Sequence, residues 1–178
     1  MILYGPLGCG KTTLGRYILK ETQVSIIDAT MIRDHSAVST IIGNLTKQNI
    51  TQMFHEVRTM RGLLVDDIHI FYKEDRKTYS LITELMMKGR TGNLKNTRIV
   101  ITCVSSLMHQ RKFQSIPAVK ISLERTKTSY YRLVRSYVKD KGYSLKSEQL
   151  DSLVYHSRLN LHKLGELIEG QVMSDSPS

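Results

Sequence analysis

Cysteine is scarce in this chain, acidic residues are outnumbered by bases, and long apolar runs are missing. Two cysteines, Cys9 and Cys103, can build neither a disulfide framework nor a zinc site on their own. A reducing, intracellular compartment is the expectation, with cytoplasm and nucleus not distinguished. The longest apolar runs are a handful of residues, too short for a bilayer span, so no membrane partner is expected. Met1-Ile2-Leu3-Tyr4 leads straight into a glycine turn, and no signal peptide is expected. No repeat or low-complexity segment occurs apart from the polar tail Ser174 to Ser178. Acids number 16 against 26 bases, a formal charge of +10, which favours phosphates and polyanions as partners over acidic-surface functions. Apolar residues, at 40% of the 178, suffice for a buried core. The length suits one domain, or one domain with a small helical appendage.

The most informative segment is Gly5-Pro6-Leu7-Gly8-Cys9-Gly10-Lys11-Thr12, a complete G-x-x-x-x-G-K-[ST] phosphate loop. Glycines at 5, 8 and 10 let the backbone bend tightly and aim its N–H groups at phosphate oxygens. Lys11 brings a point charge to the outer phosphates, and Thr12, followed by Thr13, offers a hydroxyl to Mg²⁺. The spacing predicts a short strand, Ile2 to Tyr4, before the loop and a helix from Lys11 to about Glu21 after it, whose dipole adds to anion binding. A chance glycine turn ahead of a helix is the plain alternative. The match to every position of the motif, between a strand and a helix, weighs against it.

Leu63-Leu64-Val65-Asp66-Asp67 is an apolar run ending in two carboxylates, the pattern of a buried parallel strand with a ligand beyond its carboxyl end. Asp66 would hold Mg²⁺, and Asp67 would polarise an attacking water. A solvated strand end or a helix cap is the other reading. His69 is expected to be a packing or loop residue, with no second His or Cys at metal spacing. Further strands are expected at Val24 to Asp28, Arg98 to Cys103 and Ala118 to Leu123. Helices are expected at Ser36 to Leu45, Gln52 to Met60 and Glu74 to Lys88, with a turn-rich link from Gly89 to Asn96. The fold class is therefore α/β, a parallel sheet with flanking helices, over residues 1–123. From 124 to 173 the texture is helical only. One helix carries Tyr130, Leu133, Val134, Tyr137 and Val138. A second runs Ser147 to His156 with Ser147 as its cap, and a third runs Asn160 to Met173 with Asn160 as its cap. Residues 174–178 are a polar tail.

Taken together, the phosphate loop, the strand ending in Asp66-Asp67, the strand Arg98 to Cys103 and the three-helix unit resemble an AAA+ ATPase, a P-loop NTPase. The resemblance covers about residues 1 to 173. Val65-Asp66-Asp67-Ile68-His69 is similar to bacterial replication initiators and helicase loaders, whereas Thr102 to Ser106 looks more like clamp-loader small subunits. The resemblance implies ATP and Mg²⁺ as cofactors, with ATP bound by Gly5, Pro6, Gly8, Cys9, Gly10, Lys11, Thr12 and Thr13. It implies Mg²⁺ on Thr12 and Asp66, and catalysis by Asp67 and Lys11. The sensor on the fourth strand falls among Thr102, Cys103 and Ser105, of which Thr102 is the hydrogen-bonding group within the strand. The cation of the third helix falls to Lys163 or His162, and an arginine finger given to a neighbouring subunit falls to Arg111.

There are departures from the family pattern. The second acid is Asp where most members carry Glu, the Ser-Arg-Cys motif of clamp loaders is absent, and only Met1 to Tyr4 precede Gly5. Either the sequence is a fragment or the base is held differently. No guanine signature of the [NT]-K-x-D type occurs, which leaves ATP by elimination.

The basic residues are concentrated. Residues 111–146 hold ten bases against two acids, and Arg132, Arg135 and Lys139 share one face of a helix. Such a stripe can track a nucleic-acid backbone, or it can be an ordinary solvated face. The expected function is an AAA+ ATPase that binds and hydrolyses Mg-ATP with like or related subunits and acts on DNA in replication or repair, with a sliding clamp or helicase as a possible partner. A nucleotide-gated subunit without turnover is the first alternative, and a small P-loop phosphotransferase the second. The Asp-Asp strand end and the helical tail argue against the latter.

Overall fold

The computed structural model describes residues 1–32, 34–46, 60–88, 94, 96–142, 146–158 and 160–174. The expected helix Gln52 to Met60 falls almost wholly outside them, as does most of the link Gly89 to Asn96.

The chain divides into two compact units, Met1–Gly5 with Lys11–Ser122, and Pro6–Gly10 with Leu123–Ser178. The first is a five-stranded sheet, every pair of which is parallel, in the order β2-β3-β4-β1-β5. Its strands are β1 (Ile2–Tyr4), β2 (Gln23–Asp28), β3 (Arg61–Asp66), β4 (Thr97–Cys103) and β5 (Lys120–Ser122). Its helices are α1 (Lys11–Ile18), α2 (His35–Thr46), α3 (His69–Glu74), α4 (Arg76–Lys88) and the single turn α5 (Arg111–Gln114).

The central strands read as unbroken apolar runs because both faces are covered. Side chains alternate across the sheet. Ile2, Leu63, Val65 and Ile101 join one core with Ile27, Ile68, Phe71, Ile82 and Phe113. Leu3, Leu64 and Val100 meet α1 on the other side. Gly15 of α1 is the point of closest approach, since a Cβ there would lie 2.8 Å from Leu64 Cδ1 and 3.5 Å from Val100 Cγ1. The register sets Leu3 beside Thr102, Val65 beside Ile101 and Asp28 beside Asp66. The carboxyl edge of the sheet thus collects Asp28, Asp66 and the end of β4, where an open parallel sheet binds its ligands.

One helical expectation is corrected. The helix expected over Glu74 to Lys88 begins at Arg76, and Asp75 separates it from a further short helix, His69–Glu74. The Asp75 backbone is non-helical, at φ −138°, and its Oδ1 accepts from the N–H groups of Lys77 and Thr78, each at 3.0 Å. That caps α4 and ends α3. His69, expected to be a packing or loop residue, is the first residue of α3 and is largely buried.

Among the described residues the second unit has three helices, α6 (Lys127–Asp140), α7 (Ser147–Ser157) and α8 (Leu161–Ser174). Tyr130, Val134 and Val138 form an i, i+4, i+8 row that packs with Leu150, Leu153, Val154, Leu164 and Ile168. Tyr137, expected on that apolar side, is 38% exposed, with Lys141 Nζ 5.9 Å from its ring centroid. It falls at the margin of the row, where a phenol can bury its ring edge and keep its hydroxyl in water. Ser147 is the first helical residue and not the cap. Lys146 takes that place, its N–H donating to Gln149 Oε1 at 2.9 Å. Asn160 does cap α8, its Oδ1 accepting from the N–H of His162 at 3.0 Å and of Lys163 at 3.2 Å.

Candidate functional site

The phosphate-loop segment joins β1 to α1. Gly8 and Gly10 have φ of +73° and +91°, backbone that glycine adopts without a Cβ penalty. Gly5 and Lys11 bracket the turn. The Gly5 N–H donates to Cys103 O at 3.3 Å, and Lys11 Nζ donates to Gly5 O at 3.2 Å. Lys11 is buried to 5% exposure, so its charge is held inside the segment and not displayed in solvent. Cys9 is buried, Pro6 and Leu7 are exposed, and Thr13 faces outward from α1.

Beyond the ends of β3 and β4 four residues are linked. Thr12 Oγ1 lies 2.8 Å from Asp66 Oδ2 and 3.0 Å from Oδ1. Thr102 Oγ1 donates to Asp66 Oδ1 at 2.5 Å and accepts from the Asp67 N–H at 2.8 Å. Thr102 is fully buried and Asp66 nearly so. The parallel register explains the meeting, since Ile101 pairs with Val65 and the next residues along both strands are Thr102 and Asp66. One hydroxyl therefore orients the first acid and fixes the backbone of the second.

Asp67 has φ +54°, a left-handed conformation that costs a non-glycine residue about 1–2 kcal/mol. Strain of this kind needs support from its surroundings, and the hydrogen bond from its N–H to Thr102 supplies some. Burial, then repulsion from Asp66, raises the Asp67 carboxyl above the ordinary carboxylate value, with His69 and Lys11 pulling the other way. His69 Nδ1 stands 3.7 Å from Asp67 Oδ1 and has no hydrogen-bond partner among the described residues. Burial lowers this imidazole below its usual value, and the Asp67 charge only partly offsets that. Burial therefore works against the charged form of each member of this pair. Nothing in the sequence marked His69 as a neighbour of the acids. Its place follows from the early start of α3.

Burial pushes the Cys103 thiol up to about 12, which leaves it inert. Ser105 opens the short 3-10 turn Ser105–His109 after β4. Arg111 and Lys112 are exposed on α5, held in place by the fully buried Phe113. In the helical unit, Arg132, Arg135 and Lys139 are all exposed on one side of α6, and His162 and Lys163 are exposed in the first turn of α8.

Thr12 and Asp66 are hard oxygen donors, a set that suits Mg²⁺. Among the described residues no group of three or more His, Cys, Asp or Glu is placed to hold a metal. Mg²⁺ is commonly bound through one or two carboxylates together with phosphate oxygens.

The sequence matches the ATPase family associated with various cellular activities (AAA) over residues 1–116. The chain belongs to that family. No curated protein sequence matches it. Among solved structures, a single-substitution variant of Thermotoga maritima RuvB is similar with a TM-score of 0.64 at 16% identity, covering 92% of this chain and 50% of that one. Thermotoga maritima RuvB described as a Holliday junction branch migration motor gives 0.60 at 15% identity, over 92% and 50%. AMPPCP-bound DnaA from Aquifex aeolicus gives 0.62 at 17% identity, over 94% and 53%. The chain therefore spans about half the length of the structures it resembles, and at these identities the likeness is one of fold.

Proposed function

We propose that this chain is a nucleotide-dependent ATPase module that binds Mg-ATP through the segment Gly5–Thr12 and hydrolyses it at Asp67. The observation that supports this best is the linkage Thr12–Asp66–Thr102–Asp67. It connects a metal-binding hydroxyl, a metal-binding carboxylate and the residue able to polarise water. Thr12 and Asp66 would hold Mg²⁺, which neutralises charge on the phosphate oxygens when bound. Lys11 supplies a fixed positive charge, and the loop amides supply donors. Asp67 orients the nucleophilic water by accepting its hydrogen bond.

Work on DNA within an assembly of like or related subunits is the wider part of the proposal. Its supports are the exposed Arg132, Arg135 and Lys139, the exposed Arg111 as a residue for a neighbour's site, and the likeness to DnaA described as bound to AMPPCP and single-stranded DNA. Whether a sliding clamp or a helicase is the partner follows from capture by the assembled complex.

The test is single-turnover hydrolysis of Mg-ATP by wild type, Lys11→Ala and Asp67→Asn. Lys11→Ala is expected to lose binding. Asp67→Asn is expected to keep binding and to slow phosphate release by at least about 100-fold, a typical loss for a positioned catalytic base. Equal background release from all three would leave a nucleotide-gated subunit without turnover as the function. The Asp side chain, a methylene shorter than Glu, makes that the reading to exclude.

A further inference from the structure

Asn160 and Leu161 stand out within the helical unit because they touch the apex of the phosphate loop. Gly8 O accepts from the Leu161 N–H at 2.9 Å. A Cβ placed on Gly8 would lie 2.1 Å from Asn160 Oδ1 and 2.3 Å from its Cγ, so the amide group fills the space beside Gly8. Asn160 is itself held from several sides. Its side chain caps α8, its N–H donates to Ser157 O at 2.9 Å, and its carbonyl accepts from Tyr130 Oη at 3.1 Å. Tyr130 is fully buried and also bonds Ser157 Oγ at 3.0 Å. The first turn of α8 is thus a rigid abutment.

The peptide between Gly8 and Cys9 is trans and planar, so its carbonyl and its N–H lie in one plane and point in opposite directions. Tying the carbonyl to Leu161 fixes where the Cys9 N–H points. An N–H at the first helical position has no acceptor inside its own helix, so Leu161 can donate to the loop at no cost to α8. We propose that Asn160 and Leu161 are positioning residues for phosphate binding. Through Gly8 they orient the Gly8–Cys9 peptide so that the Cys9 amide faces the nucleotide phosphates. This rests on the nucleotide reading above and adds to it a role for two residues outside the loop.

Proline is well accepted at the first helical position, so Leu161→Pro deletes the one N–H while leaving α8 able to form. Leu161→Ala keeps the N–H and serves as the reference for loss of the side chain. Mg-ATP affinity is measured by calorimetry. The two cysteines allow a second readout, because ¹⁵N-cysteine labelling gives only the Cys9 and Cys103 amide signals, assigned with Cys103→Ala. Leu161→Pro is expected to bind Mg-ATP about three- to tenfold more weakly than Leu161→Ala, the loss of one hydrogen bond. Its Cys9 amide signal is expected to move less on nucleotide addition than in Leu161→Ala.

Equal affinities and equal Cys9 displacements in the two variants would overturn the proposal. If Leu161→Pro loses its helical circular dichroism, Asn160→Gly carries the test, glycine being an accepted N-cap. Weaker binding with a displaced Cys9 signal supports the role, and wild-type values for both overturn it. Absence of Mg-ATP binding by wild type would remove the nucleotide reading itself and this proposal with it, an outcome distinct from failure in the variants alone.

Discussion

At the scale of single residues, Thr102 joins the two acids. Its hydroxyl is buried, donates to Asp66 and accepts from the Asp67 N–H. Thr102→Val keeps the shape and removes both hydrogen bonds, leaving a buried N–H and a carboxylate oxygen short of a partner. Stability is expected to fall by about 1–2 kcal/mol in chemical denaturation. Steady-state kinetics are expected to show kcat down about tenfold or more with KM within about threefold, because the change misplaces Asp67 and spares the phosphate loop.

Cys103 offers a pH test. Burial raises its thiol from 9.0 to about 12. A raised value in the folded state gives stability that is complete below the unfolded value and is lost as pH climbs toward the folded one. Tyr79, buried and raised from 10.0 to about 12, adds in the same sense. The melting temperature is therefore expected to decline from about pH 9 upward, and Cys103→Ala should flatten the first part of that decline. The same slope in both proteins would contradict the assignment. Thr102 was legible as a strand hydroxyl, but its meeting with Asp66 needed the register of β4 against β3, which no local pattern encodes. Asn160 was legible only as a helix cap. Its second task, beside Gly8, joins residues more than 150 positions apart.

At the scale of elements, periodicity and turn chemistry carried most of the reading. The strands around Leu63–Asp66 and Ile99–Cys103 are continuous apolar runs because both sheet faces are covered, and such runs are conspicuous in sequence. The start of α3 was missed for a physical reason. Ile68 to Phe71 is too short to show a helical period, and the Asp75 side chain, which separates α3 from α4, looks like any exposed acid until the N–H groups that donate to it are seen. Helix α6 divides as its spacing suggests for Tyr130, Val134 and Val138, and less well for Tyr137, since a residue at the margin of a stripe is decided by its neighbours. Its exposed side carries the nucleic-acid proposal. Changing Arg132, Arg135 and Lys139 to Glu together is expected to weaken binding to single-stranded DNA of any sequence. The slope of log K against log salt should fall by about two to three units if all three face phosphates. An unchanged slope would assign the stripe to solvent.

For the whole molecule, a fold class could be argued from alternating strands and helices, while strand order could not. The order β2-β3-β4-β1-β5 places β1 between two strands that come much later in the chain. That arrangement sets the start of α1 beside the ends of β3 and β4. It brings Thr12, Asp66, Asp67 and Thr102 together from three separate stretches of sequence, which the family resemblance grouped as one site and whose hydrogen bonds only the strand order supplies.

The central claim is that this constellation and the loop together hold a magnesium-bound nucleoside triphosphate. Isothermal titration of Mg-ATP into the intact chain, set against Lys11→Ala and against an EDTA-treated sample, tests it most directly. The account predicts saturable heat with one site per chain, lost in Lys11→Ala and weakened without magnesium. Absence of heat from wild type, or binding by Lys11→Ala as tight as by wild type, would contradict it.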